Sequence, residues 1–357
     1  MSSTAHPAAP LAPIENLAAE LRAILTGAAF APLDTRWLRI TGPDATRWLN
    51  GMVTNSVQSL APGEGCYNFL LNAQGRILGD CTIYRDPTPE PPALLLETDA
   101  SQIETLQAHL DRFIIMDDVE LTRTDSAQHS GLLVLGPNAS HSLVSAAHAT
   151  LPRLGGNMAK VDLNGHQSSI FTPTAGTIPA YEVWFDSTAS AEHTFRTLRT
   201  AIGTAVSPTA LEVLRILSGT PRYGVDIRNT DKAHDLPQET AQDRALHFAK
   251  GCYLGQEIVE RIRSRGSVHR TFAGFVLNGE LPPSGTELTT ESQPRPVGEL
   301  TSVTSIPRAA LDPSTSANVA PLQIALGYIR REALDRNLPL TYPGGTATPA
   351  SLPFQLP

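Results

Sequence analysis

A cysteine can act as a nucleophile, a redox group or a metal ligand once its thiol is deprotonated. The chain has three, Cys66, Cys81 and Cys252, and only Cys252 sits in a setting that suggests such chemistry. It lies in FAKGCYLGQEIVERIRSRGSVHR, residues 248–270. Ile258 and Ile262 are one helical turn apart and Gly266 suits a helix end, so a helix is expected to begin near Gly255 or Gln256. A thiol ahead of a helix N-terminus faces the positive end of the dipole, and Lys250 adds positive potential if its side chain turns the same way. Gly251 and Gly255 would let the backbone approach a ligand closely or adopt positive φ. A second reading stays open, in which Cys252 is a small apolar side chain packed under a loop.

Other groups could join it. Residues 244–270 hold six Lys/Arg against Glu257 and Glu260, in a chain of net charge −8. That local excess fits an anion site, such as one for the glutamate tail of a folate. Arg261, Arg263 and Arg265 fit equally well as a solvated helix end, where cations are favoured. His247 and His269 flank the segment, but their spacing does not select a Cys–His pair. Asp80 and Glu239 are carboxylate candidates, with an ordinary surface charge as the alternative for each. The chain contains no Walker A run, no GxGxxG after a strand and no HExxH, so nucleotide hydrolysis, dinucleotide dehydrogenation and zinc proteolysis lack their usual sequence support.

Alternating elements must position these groups. IENLAAELRAILTG has apolar residues at helical spacing and Gly27 as its cap. WLRITG reads as a strand, and Asp44 can cap a helix carrying Trp48, Leu49 and Met52. CYNFLLNAQGRILGDCTIYR is a hairpin turning at NAQG, which places Cys66 and Cys81 in strands as core residues. PALLLETD is a strand. SQIETLQAHLDRFII is a helix with Ser101 capping and Glu104 completing a capping box. DVELTRT closes the first unit. A second pass follows: GLLVLGP, a helix over SHSLVSAAHATLPRL, the strands SSIFTPT and AYEVWFD, and a helix ending at Gly203. A helix from Thr209 to Leu217 leads into a long irregular stretch whose aromatics argue against disorder. From Thr271 onward, TFAGFVLNG, GTELTT, PVGELTSVTSI and QIALGYIRREAL suit a small barrel, with 307–321 as a surface loop.

The totals agree with a globular protein. The 357 residues suffice for two or three domains, with 41% hydrophobic and 17% charged residues and 29 prolines that favour strands and loops over a helical bundle. The acidic balance argues against a nucleic-acid partner. An odd number of cysteines without CxxC argues against a disulfide framework and a local zinc site. With neither a secretory leader nor a long apolar run, the expectation is a cytoplasmic protein that does not enter a membrane.

KGCYLGQE, from Lys250 to Glu257, matches the signature of the YgfZ-type folate-binding proteins. The chain is also similar to that family, in the right order, at ITGPDATRWLNGMVTNSV, LNAQGRILGDCTIYR, LRILSGTPRYGVDI, LPQE, GELTS and IALGYIRRE. These proteins are relatives of the glycine-cleavage T-protein, an aminomethyltransferase, and take part in iron–sulfur cluster assembly or repair. The resemblance implies an α+β, three-part, cloverleaf-like fold. Two N-terminal α/β subdomains would surround a central folate channel beside a C-terminal β-barrel. The corresponding division is 1–27 (a disordered start and a helix), 28–205 (the folate-binding region), 206–270 (the connecting helix and cysteine motif) and 271–357 (the barrel).

The resemblance further implies tetrahydrofolate as cofactor and iron–sulfur proteins or assembly factors as clients. Cys252 would be the functional thiol, in a motif with Lys250, Gly251, Tyr253, Gly255, Gln256 and Glu257. Arg215, Asp80, Glu239 and Glu182 would contact the cofactor. Two departures from the T-proteins matter: Gly79-Asp80 replaces their adjacent acids, and TAGTIPAYE keeps Glu182 but not the earlier glutamate of their YTGExGxE. The reading that results is an accessory factor rather than a classical enzyme. A folate-dependent aminomethyl- or methyltransferase and a scaffold with a relic channel are the alternatives. A single cysteine cannot hold a cluster with the usual four thiolates, so any cluster would be shared with a partner.

Overall fold

Strand alternation gives each sheet two faces with different neighbours. The computed structural model describes residues 14–88, 92–124, 130–147, 151–163, 166–185, 188–230, 234–266, 268–291, 293–312, 314–316 and 319–355; the start expected to be disordered, 1–13, lies outside them. α1 (Ile14–Thr26) leads into β1 (Ala29–Pro32), β2 (Thr35–Thr41), α2 (Ala45–Asn50), β3 (Gly65–Leu71), β4 (Ile77–Arg85), β5 (Leu94–Asp99), α3 (Ile103–Asp111) and β6 (Glu120–Arg123). Then come β7 (Ser130–Leu135), α4 (Ala139–Ala147), β8 (Met158–Leu163), β9 (His166–Phe171), β10 (Ala180–Phe185), α5 (Thr188–Ile202) and α6 (Pro208–Leu217). Two 3-10 turns, Pro237–Glu239 and Asp243–Ala245, precede α7 (Gln256–Arg265). The chain continues through β11 (Arg270–Gly279), β12 (Thr286–Thr290), β13 (Gln293–Ile306), α8 (Arg308–Leu311), β14 (Leu322–Arg330), α9 (Arg331–Asp335), β15 (Leu340–Tyr342) and β16 (Gly345–Ala350).

The fold is the expected α+β arrangement of two sheet-and-helix units and a closed barrel. The first sheet runs β3-β4-β5-β2-β6, the second β1-β7-β10-β9-β8, and the barrel closes as β11-β14-β13-β12-β15-β16. One face of the first sheet, with Leu38, Ile40, Cys81, Ile83 and Leu96, packs against Leu49 of α2 and Leu106 and Leu110 of α3. One face of the second, with Ile170, Val183 and Phe185, packs against Leu143 of α4 and Leu198 of α5. The helices therefore lie outside, and the opposite faces meet each other. There Trp37 and Tyr84 pack with Phe171 and Trp184. The Trp37 ring lies 4.3 Å from Phe171 and 5.8 Å edge-on from Trp184. Such pairs contribute roughly 0.5–1.5 kcal/mol each beyond the area they bury.

Four details differ from the sequence reading. β1 adds an edge strand to the second sheet, so that sheet draws residues from before the first one. Ser101 does not cap α3: Gln102 is the N-cap residue, and Ser101 is instead held by Asp99, which accepts from its backbone N–H at 2.8 Å. The 307–321 loop contains α8, whose Ala310 is buried against α1. β15 and β16, short and poor in apolar residues, close the barrel.

Two arginines bind the barrel to the rest. Arg215 of α6 spends its donors on Glu212 (2.9 and 2.7 Å), Asp226 (2.7 Å), the Thr220 carbonyl (2.6 Å) and Ser302 of β13 (2.6 Å). Arg270, at the start of β11, meets Asp235 at 2.6 Å and Glu239 at 3.1 and 3.0 Å. The Asp235 carboxylate is fully buried, and a buried charge stripped of its partner is strongly destabilising. Arg270→Met is therefore expected to lower the unfolding free energy by about 3 kcal/mol. Urea denaturation measures it, and a loss below about 1 kcal/mol would refute the clamp.

Candidate functional site

Cys252 is exposed, whereas Cys81 is buried and Cys66 half-buried. What surrounds Cys252 holds the backbone in place. Tyr253 is buried with Tyr67, Phe69, Leu71 and Val259. The Leu254 N–H donates to the Gly51 carbonyl at 3.0 Å, at the end of α2. Gln256 closes the turn: its backbone N–H donates to the Tyr253 carbonyl at 3.1 Å, and its Oε1 accepts from the Tyr253 N–H at 3.3 Å. Lys250 does not supply the thiol with an unshared cation. Its Nζ donates to the Val53 and Asn55 carbonyls at 2.7 and 2.5 Å, and burial pushes its pKa down to about 8.

The two glycines of the motif differ. Gly255, the N-cap of α7, has φ +83°, and a Cβ there would sit 2.6 Å from the Asn72 carbonyl oxygen in the β3–β4 turn. Gly251 has nothing within 4 Å of where its Cβ would stand. The expected helix cap at Gly266 is present, with its N–H donating to the Ile262 carbonyl. The charges on α7 belong to the helix surface. Glu257 pairs with Arg261 at 2.6 Å, and Arg263 lies 3.7 Å from Glu260 and 4.2 Å from the Phe248 ring centre.

Asp80 points from β4 to the side away from the helices. Its Oδ2 accepts from Tyr67 Oη at 2.6 Å and its Oδ1 from Gln102 Nε2 at 2.8 Å. Burial raises its pKa, the two hydrogen bonds oppose the rise, and the nearby Asp99 charge adds to it. The Arg244 guanidinium lies 4.0 Å from the Tyr67 ring centre and donates to Thr174 Oγ1 at 2.6 Å. Beside Arg244 opens a cavity of about 500 Å³, bordered also by Gln242, Thr220, Phe272 and Leu352. At Gly79 a Cβ would stand 2.7 Å from both Gln102 Oε1 and Leu106 Cδ2. The space a second acid would need is thus filled by the amide that holds Asp80.

Glu182 of β10 meets a residue that sequence reasoning missed, Glu97 of β5. Both are buried where the sheets face each other. Burial raises both pKa values, and the Glu182 charge raises that of Glu97 further. Glu97 Oε1 and Glu182 Oε2 have no hydrogen-bond partner among the described residues, and burial together with their mutual repulsion favours a proton shared by the pair. The signal for Glu97 was a lone charge inside the apolar run ALLLETD. Tyr67 and Gln102 were missed too, because their spacing resembles that of ordinary strand and helix residues, whereas Arg244 entered the sequence reading only as one of the six cations of residues 244–270.

The two remaining expected cofactor contacts are already bonded to protein groups. Arg215 has every donor engaged by protein groups, and Glu239 is consumed by Arg270 and by the Leu236 N–H, which donates to it at 3.1 Å. Both are clamps between turn, helix and barrel. The structure brings Asp80 and Glu182 to the inner faces of the sheets and leaves Cys252 on the surface.

Two outcomes follow. Gly255→Ala should cost about 2 kcal/mol or more, from positive φ and the clash with the Asn72 carbonyl, while Gly251→Ala should change stability by less than about 0.5 kcal/mol. Equal effects in thermal unfolding would contradict the geometry. The second concerns pH. A raised folded pKa means that the fold holds a proton the unfolded chain releases, so this stability is full below 4.5, the ordinary value for Glu97, and falls as pH rises. Glu97→Gln removes this carboxyl's titration and its repulsion with Glu182, so the variant should gain stability over the wild type between pH 5 and pH 8. A difference that is flat with pH would exclude the shared proton.

The chain's similarity to known proteins follows the same architecture. Residues 14–244 match the family model described as the GCVT N-terminal domain. The relative named iron-sulfur cluster assembly factor IBA57 homolog, mitochondrial, of Pyricularia oryzae is 29% identical over 253 residues, which cover 70% of this chain and 58% of that one. The like-named protein of Aspergillus oryzae is 30% identical over 270 residues, covering 68% and 56%. The chain thus spans little more than half the length of these relatives. The crystal structure of glycine cleavage system aminomethyltransferase T from Bartonella henselae shares the fold, with a TM-score of 0.78 at 18% identity over 95% of this chain and 89% of that one. The expectation of a cytoplasmic protein is overturned, since these assembly-factor relatives are mitochondrial by name. The matched residues take in both sheets, with Asp80 on β4 and Glu182 on β10, and the 3-10 turn that carries Arg244, and the chain belongs to the GCVT-domain family.

Proposed function

We propose that this chain is an iron–sulfur cluster assembly factor that acts through Cys252. The observation that carries the reading is the contrast inside the motif. Lys250, Tyr253, Gly255 and Gln256 are each committed to holding the loop, and the thiol they surround is exposed. Cysteine is a soft ligand suited to iron and sulfur species. One thiolate supplies one of the four ligands a cluster ordinarily takes, so the cluster is cargo, held jointly with a client or another assembly protein. The relatives' names support the same role.

Tetrahydrofolate is the cofactor proposed with it. The reading is supported by groups of this chain: Arg244 borders the 500 Å³ cavity and lies over the Tyr67 ring, whose hydroxyl donates to Asp80. A heteroaromatic ligand suits an opening with Phe272 on one wall and a few polar groups such as Thr220, Gln242 and Arg244. Asp80 and Arg244 would orient the cofactor, and Glu182 would support the inner face through Glu97. When bound, the folate supplies a one-carbon carrier or a trap for formaldehyde. Aminomethyl transfer is the weaker reading, because Gln102 and Leu106 fill the place of a second acid at Gly79.

Cys252→Ser should fold as the wild type and keep its stabilisation by tetrahydrofolate, about 2.7 kcal/mol at a hundredfold excess over the dissociation constant. It should fail to restore iron–sulfur enzyme activity in cells lacking the chain. Full restoration by this variant would refute the thiol's role. An unmoved melting temperature at millimolar tetrahydrofolate would refute the cofactor.

A further inference from the structure

Exposed large apolar side chains are scattered singly over the described surface, except at one place. Phe113, Ile115 and Met116, which follow α3, are 37%, 82% and 93% exposed. The backbone beneath them is fixed. The Trp48 indole donates to the Phe113 carbonyl at 3.1 Å, Asp44 accepts from the Asp118 N–H at 3.0 Å, and Arg47 meets Asp117 at 2.6 Å. Asp44 and Arg47 pair with each other at 3.0 Å. A firmly held apolar tip needs little ordering when a partner covers it, which favours docking.

From this we infer that the Phe113–Met116 tip is the docking knob for the iron–sulfur client or assembly protein that meets Cys252, an inference that rests on the proposed function. The tip and the thiol loop are fastened to one element. Trp48 of α2 anchors the tip and Gly51, at the end of α2, anchors Leu254. These anchors are three residues apart, about 4.5 Å of helix rise. An ordinary interface covers about 800 Å² on each partner, a patch roughly 30 Å across, which accommodates both features.

The charges around the tip select the occupant. Asp111, Asp118 and Glu120 are exposed there against a single Arg112, and Asp117 is neutralised by Arg47. An acidic rim is repelled by anionic lipid and by the same rim on a second copy. It complements a protein with an apolar pocket edged by Lys or Arg.

The test places a photo-crosslinking p-benzoylphenylalanine at Met116, and at Leu281 as a control, in cells whose iron–sulfur enzymes depend on this chain. The Met116 probe should capture an iron–sulfur or cluster-assembly protein that the Leu281 probe does not. Asp118→Lys with Glu120→Lys should weaken that capture about tenfold or more. Ile115→Asp with Met116→Asp should reduce restoration of enzyme activity to a similar degree, with unchanged melting and unchanged alkylation of Cys252 by iodoacetamide. Capture of lipid, of a second copy, or of the same proteins at both positions would overturn the inference, as would full restoration by the double aspartate variant. If Cys252→Ser restores activity and the double aspartate variant does not, the docking knob stands and the thiol reading falls.

Discussion

Two five-stranded sheets meet face to face, and the faces that meet are not wholly apolar. This contact sets the rest of the molecule. Trp37, Tyr84, Phe171 and Trp184 supply dispersion and area. Glu97 and Glu182 stand among them, where two ionised carboxyls would repel and both would be poorly solvated. Both carboxyls are pushed towards the protonated form, which relieves the conflict at the cost of linking the sheet contact to pH. A core built for stability alone would place apolar residues at both positions. The helices are confined to the outer faces of the two sheets.

The barrel is held to this pair of sheets by ions as well as by packing. Asp226 and Asp235 are both buried, and each is met by one arginine. Replacing such pairs with apolar residues is often neutral or stabilising, whereas breaking one is not. Their value lies in geometry: a guanidinium with several fixed acceptors sets the angle between α6, the 234–239 turn and the barrel more narrowly than apolar contact does. The two residues that resemblance placed at the cofactor, Arg215 and Glu239, serve as these struts.

The sequence made the element order legible because its strands and helices carry strong periodicity, as in ILGDCTIYR and IENLAAELRAIL. It also exposed Cys252, through glycines and a lysine that have little reason to cluster in a plain loop. It did not show what each of those neighbours does. Lys250 reads as a cation beside a thiol, yet its charge is turned into the 53–55 loop. Gly251 and Gly255 read alike, and only the approach of the Asn72 carbonyl separates them. Gln102 reads as a helix-start residue, while its amide holds Asp80 from across the sheet. Each miss is a contact between residues distant in sequence, which local pattern does not encode.

A rigid loop with one free thiol limits the chemistry available to it. A flexible thiol could fold over a bound cluster and shield it; this one cannot, because Tyr253 is buried on one side and the Leu254 N–H is tied to Gly51. On the proposed function, the remaining ligands would be brought by another protein and would have to arrive at a fixed position. Fixing the loop to α2 gives the approaching surface a second fixed feature on the same short helix, the apolar tip above Trp48. Two reference points define an orientation where one does not. The same α2 also packs on the first sheet, whose other face carries Asp80 and Glu97. The thiol, the apolar tip and the inner face therefore share one rigid support.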